Sequence, residues 1–349
     1  MKPQRPVLLC LFAAGAVALA GCGGARSSGD TTGGGNSAQN YTIKFSHVVA
    51  PSAPKGKAAL KFKELAESKS GGRISVQVFA NSELYGDKDE FQALQSNSAQ
   101  MLAPSTAKFT TVAPEVQVLD LPFLFDTPED IPDVVSPDTQ VGKAIFDNQK
   151  LAAKNMKPLG LWDAGLKHLS SNKAMRTPAD LAGLKMRIQP SDVLKVQFQT
   201  WKANPTPMAF SEVYNAMQQG VVDGGENPWS NIESQKMHTV QRHITESGHG
   251  YLGYILVVNN TFYDSLPDDL KQAVDEAAKE AGDYNRQVAE EVNQESKRKI
   301  QAAGTTTIYT PTEQERKAFK DAVVPSVWNQ FRDLIGADII DELLKNQAS

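Results

Sequence analysis

Hydrophobic and polar positions alternate from residue 41 onward with two different periods, which predicts strands and helices in turn. In residues 42–49, Ile43 and Phe45 fall on one face of a predicted strand and polar side chains fall on the other. The alternation continues through a helix over 54–70, a strand over 74–78, a helix over 86–96, a strand over 99–104, a helix over 140–155 and a strand over 156–163. This pattern predicts an α/β fold with mainly parallel sheets and helices on both faces. Binding crevices of such folds form at the carboxyl ends of strands.

A second α/β block begins near Lys167, and its clearest strand covers residues 184–189. Met186 and Ile188 point to one face of this strand, and Arg187 points to the other near the carboxyl end. Two interpretations of Arg187 remain open at this point. It is either a charged residue at a crevice or a surface arginine on an edge strand.

Prolines and glycines are concentrated in residues 204–228, which predicts extended segments and turns. A helix capped by Ser211 is followed by a short strand at 221–222 and by a turn over 223–225. The glycines of this turn serve either the turn itself or the close approach of a ligand. The turn is expected to bring together Glu226, Asn227 and Trp229.

One unusually long helix is predicted between Leu266 and Gly304, because apolar residues recur there at steps of three and four. About 35 residues make a helix of roughly 50 Å. A lobe of about 150 residues is only about 38 Å across, so the simplest interpretation is a strut lying along two lobes. A coiled coil is the alternative, but the apolar positions are Ala-rich and lack sustained Leu or Ile at heptad positions.

The first residues are expected to form an export signal. Lys2 and Arg5 precede an apolar run over residues 7–20, which is too short to span a bilayer but suits a secretion signal. The run ends in Leu-Ala-Gly followed by Cys22, which resembles the bacterial lipoprotein signal. By that resemblance residues 1–21 are removed and Cys22 is the lipidated N-terminus. The alternative is an ordinary signal peptide with an incidental cysteine.

Residues 22–40 are expected to form a flexible tether, because positions 23–40 contain no large apolar side chain. Eighteen such residues span roughly 20–25 Å. Together with the lipid anchor, this tether predicts a globular body that works just outside a membrane.

Composition narrows the class of protein. The 349 residues suit two lobes, and 40% hydrophobic with 22% charged residues is an ordinary globular balance. The formal net charge of −4 excludes the basic surface of a general nucleic-acid binder. Both cysteines lie within the first 22 residues, so we expect neither a disulfide framework nor a Cys-rich metal site.

A search for catalytic motifs supports no enzyme class. The chain lacks a phosphate-binding loop, a GxSxG motif and an HExxH motif. His238, His243 and His249 are spaced by five and six residues, which does not stack them on one helix face. Asp223 and Glu226 form a possible acid/base pair without an accompanying nucleophile. We therefore expect a protein that is not an enzyme and that uses no metal or cofactor.

Five segments carry a resemblance to a known family: residues 43–51, 55–63, 120–125, 184–190 and 204–228. They resemble the DctP family, the substrate-binding proteins of TRAP (tripartite ATP-independent periplasmic) transporters, over about residues 41–345. The resemblance implies a periplasmic-binding-protein-like α/β fold of two lobes with crossing strands and one long helix spanning both. It places lobe I at 41–164 plus 253–292 and lobe II at 165–252 plus 293–349.

The resemblance also implies a function. Such a protein captures an organic acid, with a C4-dicarboxylate as one candidate, by lobe closure and delivers it to a small and a large membrane subunit. We expect a monomer held at the membrane only by its lipid. A secreted hydrolase or isomerase on a similar scaffold, or a receptor serving an ABC importer or a sensor, is the alternative.

The resemblance also implies roles for individual residues, because positions of this chain match positions of known role in the family. Arg187 resembles the family arginine that pairs with the solute carboxylate, Asn227 the asparagine that hydrogen-bonds the solute, and Phe210 the aromatic residue that packs on it. Lys167 stands where many relatives carry arginine, so its role as a second carboxylate anchor departs from the pattern. Further residues expected to face the cleft or wall it are His47, Ser105, Lys108 and Trp229.

Overall fold

The structure is a computed structural model that describes residues 39–348. The expected signal peptide, Cys22 and nearly all of the expected tether lie outside the described residues. The strands are β1 Tyr41–Ser46, β2 Ile74–Phe79, β3 Met101–Leu102, β4 Met156–Ser171, β5 Lys185–Ile188, β6 Asn204–Pro207, β7 Gly224–Asn227, β8 His243–Asn259 and β9 Thr307–Tyr309. The helices are α1 Pro54–Lys69, α2 Glu90–Gln95, α3 Ile131–Val135, α4 Gln140–Phe146, α5 Gln149–Ala153, α6 Asp192–Thr200, α7 Val213–Gln218, α8 Trp229–Ser234, α9 Asn260–Asp264, α10 Asp268–Ala303, α11 Glu313–Val323, α12 Ser326–Gln330, α13 Arg332–Ile335 and α14 Ala337–Ala348.

The strands form one mixed sheet in the order β2-β1-β3-β8-β4-β7-β5-β6, and β9 pairs with β8. At one end β1 is parallel to β2 and β3, and at the other end β5 is parallel to β6 and β7. The centre is antiparallel, because β8 runs against β3 and β4, and β4 runs against β7. The α/β class is confirmed. The expectation of mainly parallel pairing is wrong at the centre, since strand patterns predict strands but not their partners.

The two longest strands, β4 and β8, cross from one half of the sheet to the other. Their pairing begins at Met156 opposite Asn259 and ends at Ser171 opposite His243. The register shifts at three places: between Pro158 and Gly160, between Asp163 and Gly165, and between Lys167 and Leu169. Such irregularities bend and twist a strand pair. Strands β4 and β8 correspond to the crossing strands of the expected two-lobed fold.

Helix α10 is the predicted strut. Its 36 residues make it about 54 Å long. Near its start, Leu270 and Val274 pack in the core formed by β1, β2 and α1, whereas Ile300 near its end packs in a separate core with Val213 and Ile232. One helix therefore joins two hydrophobic cores.

Four local predictions need correction. The single helix expected over 140–155 is interrupted, because Asn148 accepts hydrogen bonds from the backbone N–H groups of Lys150 and Leu151 and caps α5. Ser211 does not cap a helix, since it lies inside the 3-10 turn Phe210–Glu212.

The short strand expected at 221–222 and the turn expected over 223–225 are also wrong, because the strand of this region is β7, which begins at Gly224. A Cβ atom on Gly224 would lie 2.1 Å from the carbonyl oxygen of Ser170 on β4. This glycine therefore allows two strands to approach closely, which the sequence alone does not distinguish from the approach of a ligand.

Candidate functional site

The candidate site is a cavity with about 400 Å³ of empty space, its opening included. Residues that follow β1 and β3 line one side, and residues at the ends of β5 and β7 line the other, with two residues of β8 between them. The cavity therefore lies where the carboxyl ends of strands meet, as expected for an α/β fold. Five of the sequence-predicted site residues line it: Ser105, Lys108, Arg187, Phe210 and Asn227.

Strand β5 positions Arg187 at this cavity. Its neighbours Met186 and Ile188 are buried in the hydrophobic core, so the alternation along the strand turns Arg187 the other way. Only 2% of Arg187 is exposed, which excludes the interpretation of a surface arginine. Its Nε and Nη2 donate to the carbonyl oxygen of Met208 at 3.1 and 2.8 Å. No carboxylate of the described residues lies within 4.0 Å of this guanidinium.

Burial lowers the pKa of Arg187 from its usual range, while the nearby carboxylates of Asp87 and Glu226 oppose this effect. An arginine keeps its charge in such surroundings. The guanidinium is thus a buried cation with free N–H groups and without an ion-pair partner among the described residues. A planar guanidinium of this kind matches a carboxylate with two parallel hydrogen bonds.

Polar side chains surround this cation. The side-chain amide of Asn227 donates weakly to the sulfur of Met237 at 3.6 Å, and Asn227 Oδ1 accepts from Asn231 at 3.4 Å. The hydroxyl of Ser105 is buried and has no hydrogen-bond partner within the described part of the chain. An unsatisfied buried polar group costs about 1–3 kcal/mol. The cost is removed when a polar ligand supplies the missing bond.

Lys108 belongs to a cluster of charges at the wall of the cavity. Its Nζ binds Glu90 and lies 3.2 Å from Asp87. Asp87 also accepts from the backbone N–H of Phe210 at 2.6 Å, so the cluster joins the two sides of the cavity. Burial raises the pKa of Glu90, with Lys108 opposing it. For Asp87 burial is outweighed by Lys108 and the Phe210 N–H, which hold the pKa of that carboxyl below its usual range.

Lys55 also lines the cavity and was missed by the sequence analysis. It lies in the first turn of α1 and is 1% exposed. A signal was present, because Lys55 stands three, four and seven positions before the apolar residues Ala58, Ala59 and Phe62 and so shares their buried face. A lysine on the apolar face of a helix needs a partner or a ligand.

Lys167 does not line the cavity. Its Nζ lies 2.7 Å from Glu226 Oε1, and Glu226 Oε2 lies 2.7 Å from His249 Nε2. His249 Nδ1 in turn lies 2.7 Å from the hydroxyl of Ser247. Burial alone would raise the pKa of Glu226, but Lys167 and His249 lower it to about 2. The charge of Lys167 is therefore already compensated by a carboxylate of the protein.

His47 and Trp229 are likewise buried beside the cavity rather than at its lining. The ring of Trp229 packs on His168, with ring centres 4.6 Å apart. Burial, with Lys55 adding to it, lowers the pKa of His47 to about 3. His47 is therefore neutral at physiological pH.

The described residues show no arrangement of three or more His, Cys, Asp or Glu side chains that would hold a metal ion. Asp223 accepts from the backbone N–H of Lys185 at 2.8 Å, whereas Glu226 is held by Lys167 and His249. The two carboxylates considered as an acid/base pair thus have different partners. Within residues 39–348 no helix combines the length and apolar character needed to cross a membrane.

Comparison with known proteins identifies the family. The model of the family described as "Bacterial extracellular solute-binding protein, family 7" (DctP) matches residues 45–333. The C4-dicarboxylate-binding periplasmic protein DctP of Rhodobacter capsulatus is 45% identical over 304 residues, which covers 87% of this chain and 90% of that protein. The C4-dicarboxylate-binding protein DctB of Bacillus subtilis (strain 168) is 37% identical over 304 residues, which covers 87% of this chain and 85% of that protein.

Comparison with solved structures points to the same family. A TRAP periplasmic solute binding protein from Shewanella oneidensis with bound succinate has a TM-score of 0.84 and 39% identity, covering 88% of this chain and 99% of that one. A TRAP periplasmic solute binding protein from Pseudomonas aeruginosa PAO1 with bound L-malate has a TM-score of 0.80 and 37% identity. The match covers 83% of this chain and 99% of that one. The chain therefore belongs to the DctP family, family 7 of the bacterial extracellular solute-binding proteins.

Proposed function

We propose that this protein is the extracytoplasmic solute receptor of a TRAP transporter and that its solute is a C4-dicarboxylate. The observation that carries the proposal is Arg187, a buried cation that lines a cavity and has no carboxylate partner among the described residues. The names of the two relatives above and the succinate and L-malate in the two solved structures support this choice of solute. These relatives are binding proteins, so a secreted hydrolase or isomerase is set aside.

Each residue at the cavity has a proposed role. Arg187 holds one carboxylate of the solute through two parallel hydrogen bonds. Asn227 and Ser105 supply further hydrogen bonds, and Phe210 packs on the carbon chain. Lys108 lies next to the solute while bound to Glu90 and Asp87.

The three site residues outside the lining take supporting roles. Lys167 holds Glu226, and Trp229 packs behind the site on His168. His47 lies neutral beside Lys55.

The proposed mechanism is closure of two lobes around the solute. Lobe I comprises residues 41–164 and 253–292, and lobe II comprises residues 165–252 and 293–349. The bulged strands β4 and β8 form the hinge between them. The receptor, a monomer tethered through a lipid on Cys22, passes the solute to the small and large membrane subunits at the outer face of the membrane.

Titration calorimetry tests the proposal. Wild-type protein is expected to bind succinate, fumarate or L-malate in preference to a sugar acid such as glucuronate. Removing one partner of a desolvated ion pair costs about 2–5 kcal/mol, so Arg187→Ala should lose roughly 30-fold to several-thousand-fold in affinity. Arg187→Lys should also bind poorly, because it lacks the planar pair of donors.

Lys185→Ala is the matched control, since Lys185 is an exposed cation on the same strand. It should retain wild-type affinity. Each variant is first compared with the wild type by its melting curve. Near wild-type affinity in a folded Arg187→Ala variant, or a preference for the sugar acid, would contradict the proposal.

A further inference from the structure

Two loops of the proposed lobe I contact one turn of the proposed lobe II beside the cavity. The loops are residues 47–53, which follow β1, and residues 80–89, which follow β2. The turn is Phe210–Glu212, which lies between β6 and α7. We call these contacts together the cross-lobe contact, and it consists of three adjacent parts.

The first part of the cross-lobe contact is apolar. Val49 and Ala53 of lobe I are buried in one hydrophobic cluster with Phe210 and Val213 of lobe II. Val49 and Phe210 also line the cavity, so this part borders the proposed solute site. Apolar surface that two lobes bury between them returns to water when the lobes separate, so this part favours the closed form.

The second part is a hydrogen bond that crosses from one lobe to the other. The turn begins at Ala209, whose side chain provides no cap, and the first N–H groups of a helical turn have no partner within the turn. Asp87 of lobe I accepts from the backbone N–H of Phe210 at 2.6 Å. Lys108 Nζ lies 3.2 Å from Asp87 and holds this carboxylate in place. Lobe I therefore supplies the cap that the turn of lobe II lacks.

The third part is an ion pair between Lys88 of lobe I and Glu212 of lobe II. Their side chains are 74% and 47% exposed, and neither residue lines the cavity. An exposed ion pair contributes only a small stabilisation. Because this pair lies outside the proposed solute site, it can be altered without removing a contact to the solute.

Resting on the proposed function, we propose that the cross-lobe contact is a latch that forms when the lobes close and slows the release of the bound solute. All three parts join atoms of the protein, so they stabilise the closed form without recognising the solute. The solute enters before the latch forms and leaves only after the latch opens. The latch therefore acts on the dissociation rate of the solute rather than on its association rate.

Reversing one charge of the ion pair tests the latch. Lys88→Glu places two carboxylates opposite each other, and Glu212→Lys places two ammonium groups there. In either variant a repulsion replaces the attraction, which should raise the dissociation rate of succinate about three- to tenfold. The association rate should change by less than about twofold. Rapid filtration with radiolabelled succinate measures both rates.

The double variant Lys88→Glu/Glu212→Lys restores the ion pair in the opposite direction. Its dissociation rate should return to within about twofold of the wild-type rate. Lys317→Glu is the matched control, because Lys317 forms a similarly exposed ion pair with Asp321 inside helix α11. This control should release succinate at the wild-type rate.

The two single variants also separate a latch from a direct charge effect on the solute. Succinate is a dianion, so a direct effect would raise its dissociation rate in Lys88→Glu and lower it in Glu212→Lys. The latch raises the rate in both variants. Opposite changes in the two variants, or a double variant that shows no recovery, would overturn the inference.

Melting curves distinguish a latch from a fixed part of the fold. The ion pair of a latch forms only in the closed form, so each single variant should lower the Tm of the succinate-bound protein but not that of the unliganded protein. Equal lowering of both Tm values would assign the pair a structural role and overturn the inference. If folded wild-type protein binds no C4-dicarboxylate, the proposed function fails and the inference fails with it, whereas in a wild type that binds succinate the variants alone decide.

Discussion

Glu226 illustrates how one carboxylate organises three strands. It lies on β7 and binds Lys167 of β4 and His249 of β8. Burial lowers the pKa of His249, so the imidazole is neutral, donates from Nε2 to Glu226 and accepts from the Ser247 hydroxyl at Nδ1. The cluster is therefore one ion pair with a neutral third member. Such a buried pair stabilises the fold only while both charges are present.

This arrangement predicts the effect of removing Lys167. Lys167→Met leaves Glu226 as a buried carboxylate without a cation, which should lower the free energy of unfolding by about 3–5 kcal/mol. Urea denaturation measures the loss. Lys173→Met, on an exposed lysine near the end of the same strand, should change stability by less than about 0.5 kcal/mol.

The double variant Lys167→Met/Glu226→Gln should recover part of that stability, because the stranded carboxylate is gone. A Lys167→Met protein that keeps its stability and loses solute binding would show instead that Lys167 is a direct carboxylate anchor.

At the scale of elements, helix α10 is attached to strand β4 at the point where the strand is irregular. Asn285 accepts from the backbone N–H of Asp163 at 2.5 Å and donates to the carbonyl oxygen of Asp163 at 3.2 Å. Asn293 donates to the carbonyl oxygen of Ala164 at 2.7 Å. Gly165 follows with a φ of 120°, and the register of β4 against β8 shifts there. The strut and the crossing strand are thus joined at the proposed hinge.

Gly165 tests the importance of this junction. A Cβ atom at Gly165 would lie 2.6 Å from Asn293 Nδ2, and its positive φ strains any other residue. We therefore expect Gly165→Ala to lower the free energy of unfolding by about 1–3 kcal/mol. Gly160→Ala is the control on the same strand, because nothing lies within 4 Å of a Cβ there. Equal effects of the two substitutions in urea denaturation would show that the junction is not a point of strain.

At the scale of the whole molecule, the proposed function requires a change of shape. The cavity is lined from both proposed lobes, so only a closed form contacts the solute from both sides. The radius of gyration of the wild type, measured by X-ray scattering, should decrease when saturating succinate is added. Arg187→Ala at the same succinate concentration should keep the unliganded curve. Tight binding without any change in scattering would exclude hinge closure for this protein.

Local patterns along the chain determined much of this architecture. Alternation placed Arg187 opposite Met186 and Ile188, and steps of three and four predicted α10 within about two residues at each end. These features depend on the periods of single strands and helices, which a sequence records directly. The family resemblance could also be recognised from the sequence alone, because it depends on short segments of residues.

Only the tertiary structure decided which residues meet. The antiparallel centre of the sheet depends on partners far apart in sequence, and so does the close approach of Gly224 to Ser170. Lys167 was expected at the solute, but Glu226, 59 positions away, lies beside it and compensates its charge. Lys55 shows the reverse case, since its apolar helix face predicts burial but not that the nearest carboxylates of the described residues, those of Asp87 and Glu90, bind Lys108 instead. Charge compensation in a protein interior is a property of neighbours in space, and a linear pattern does not contain it.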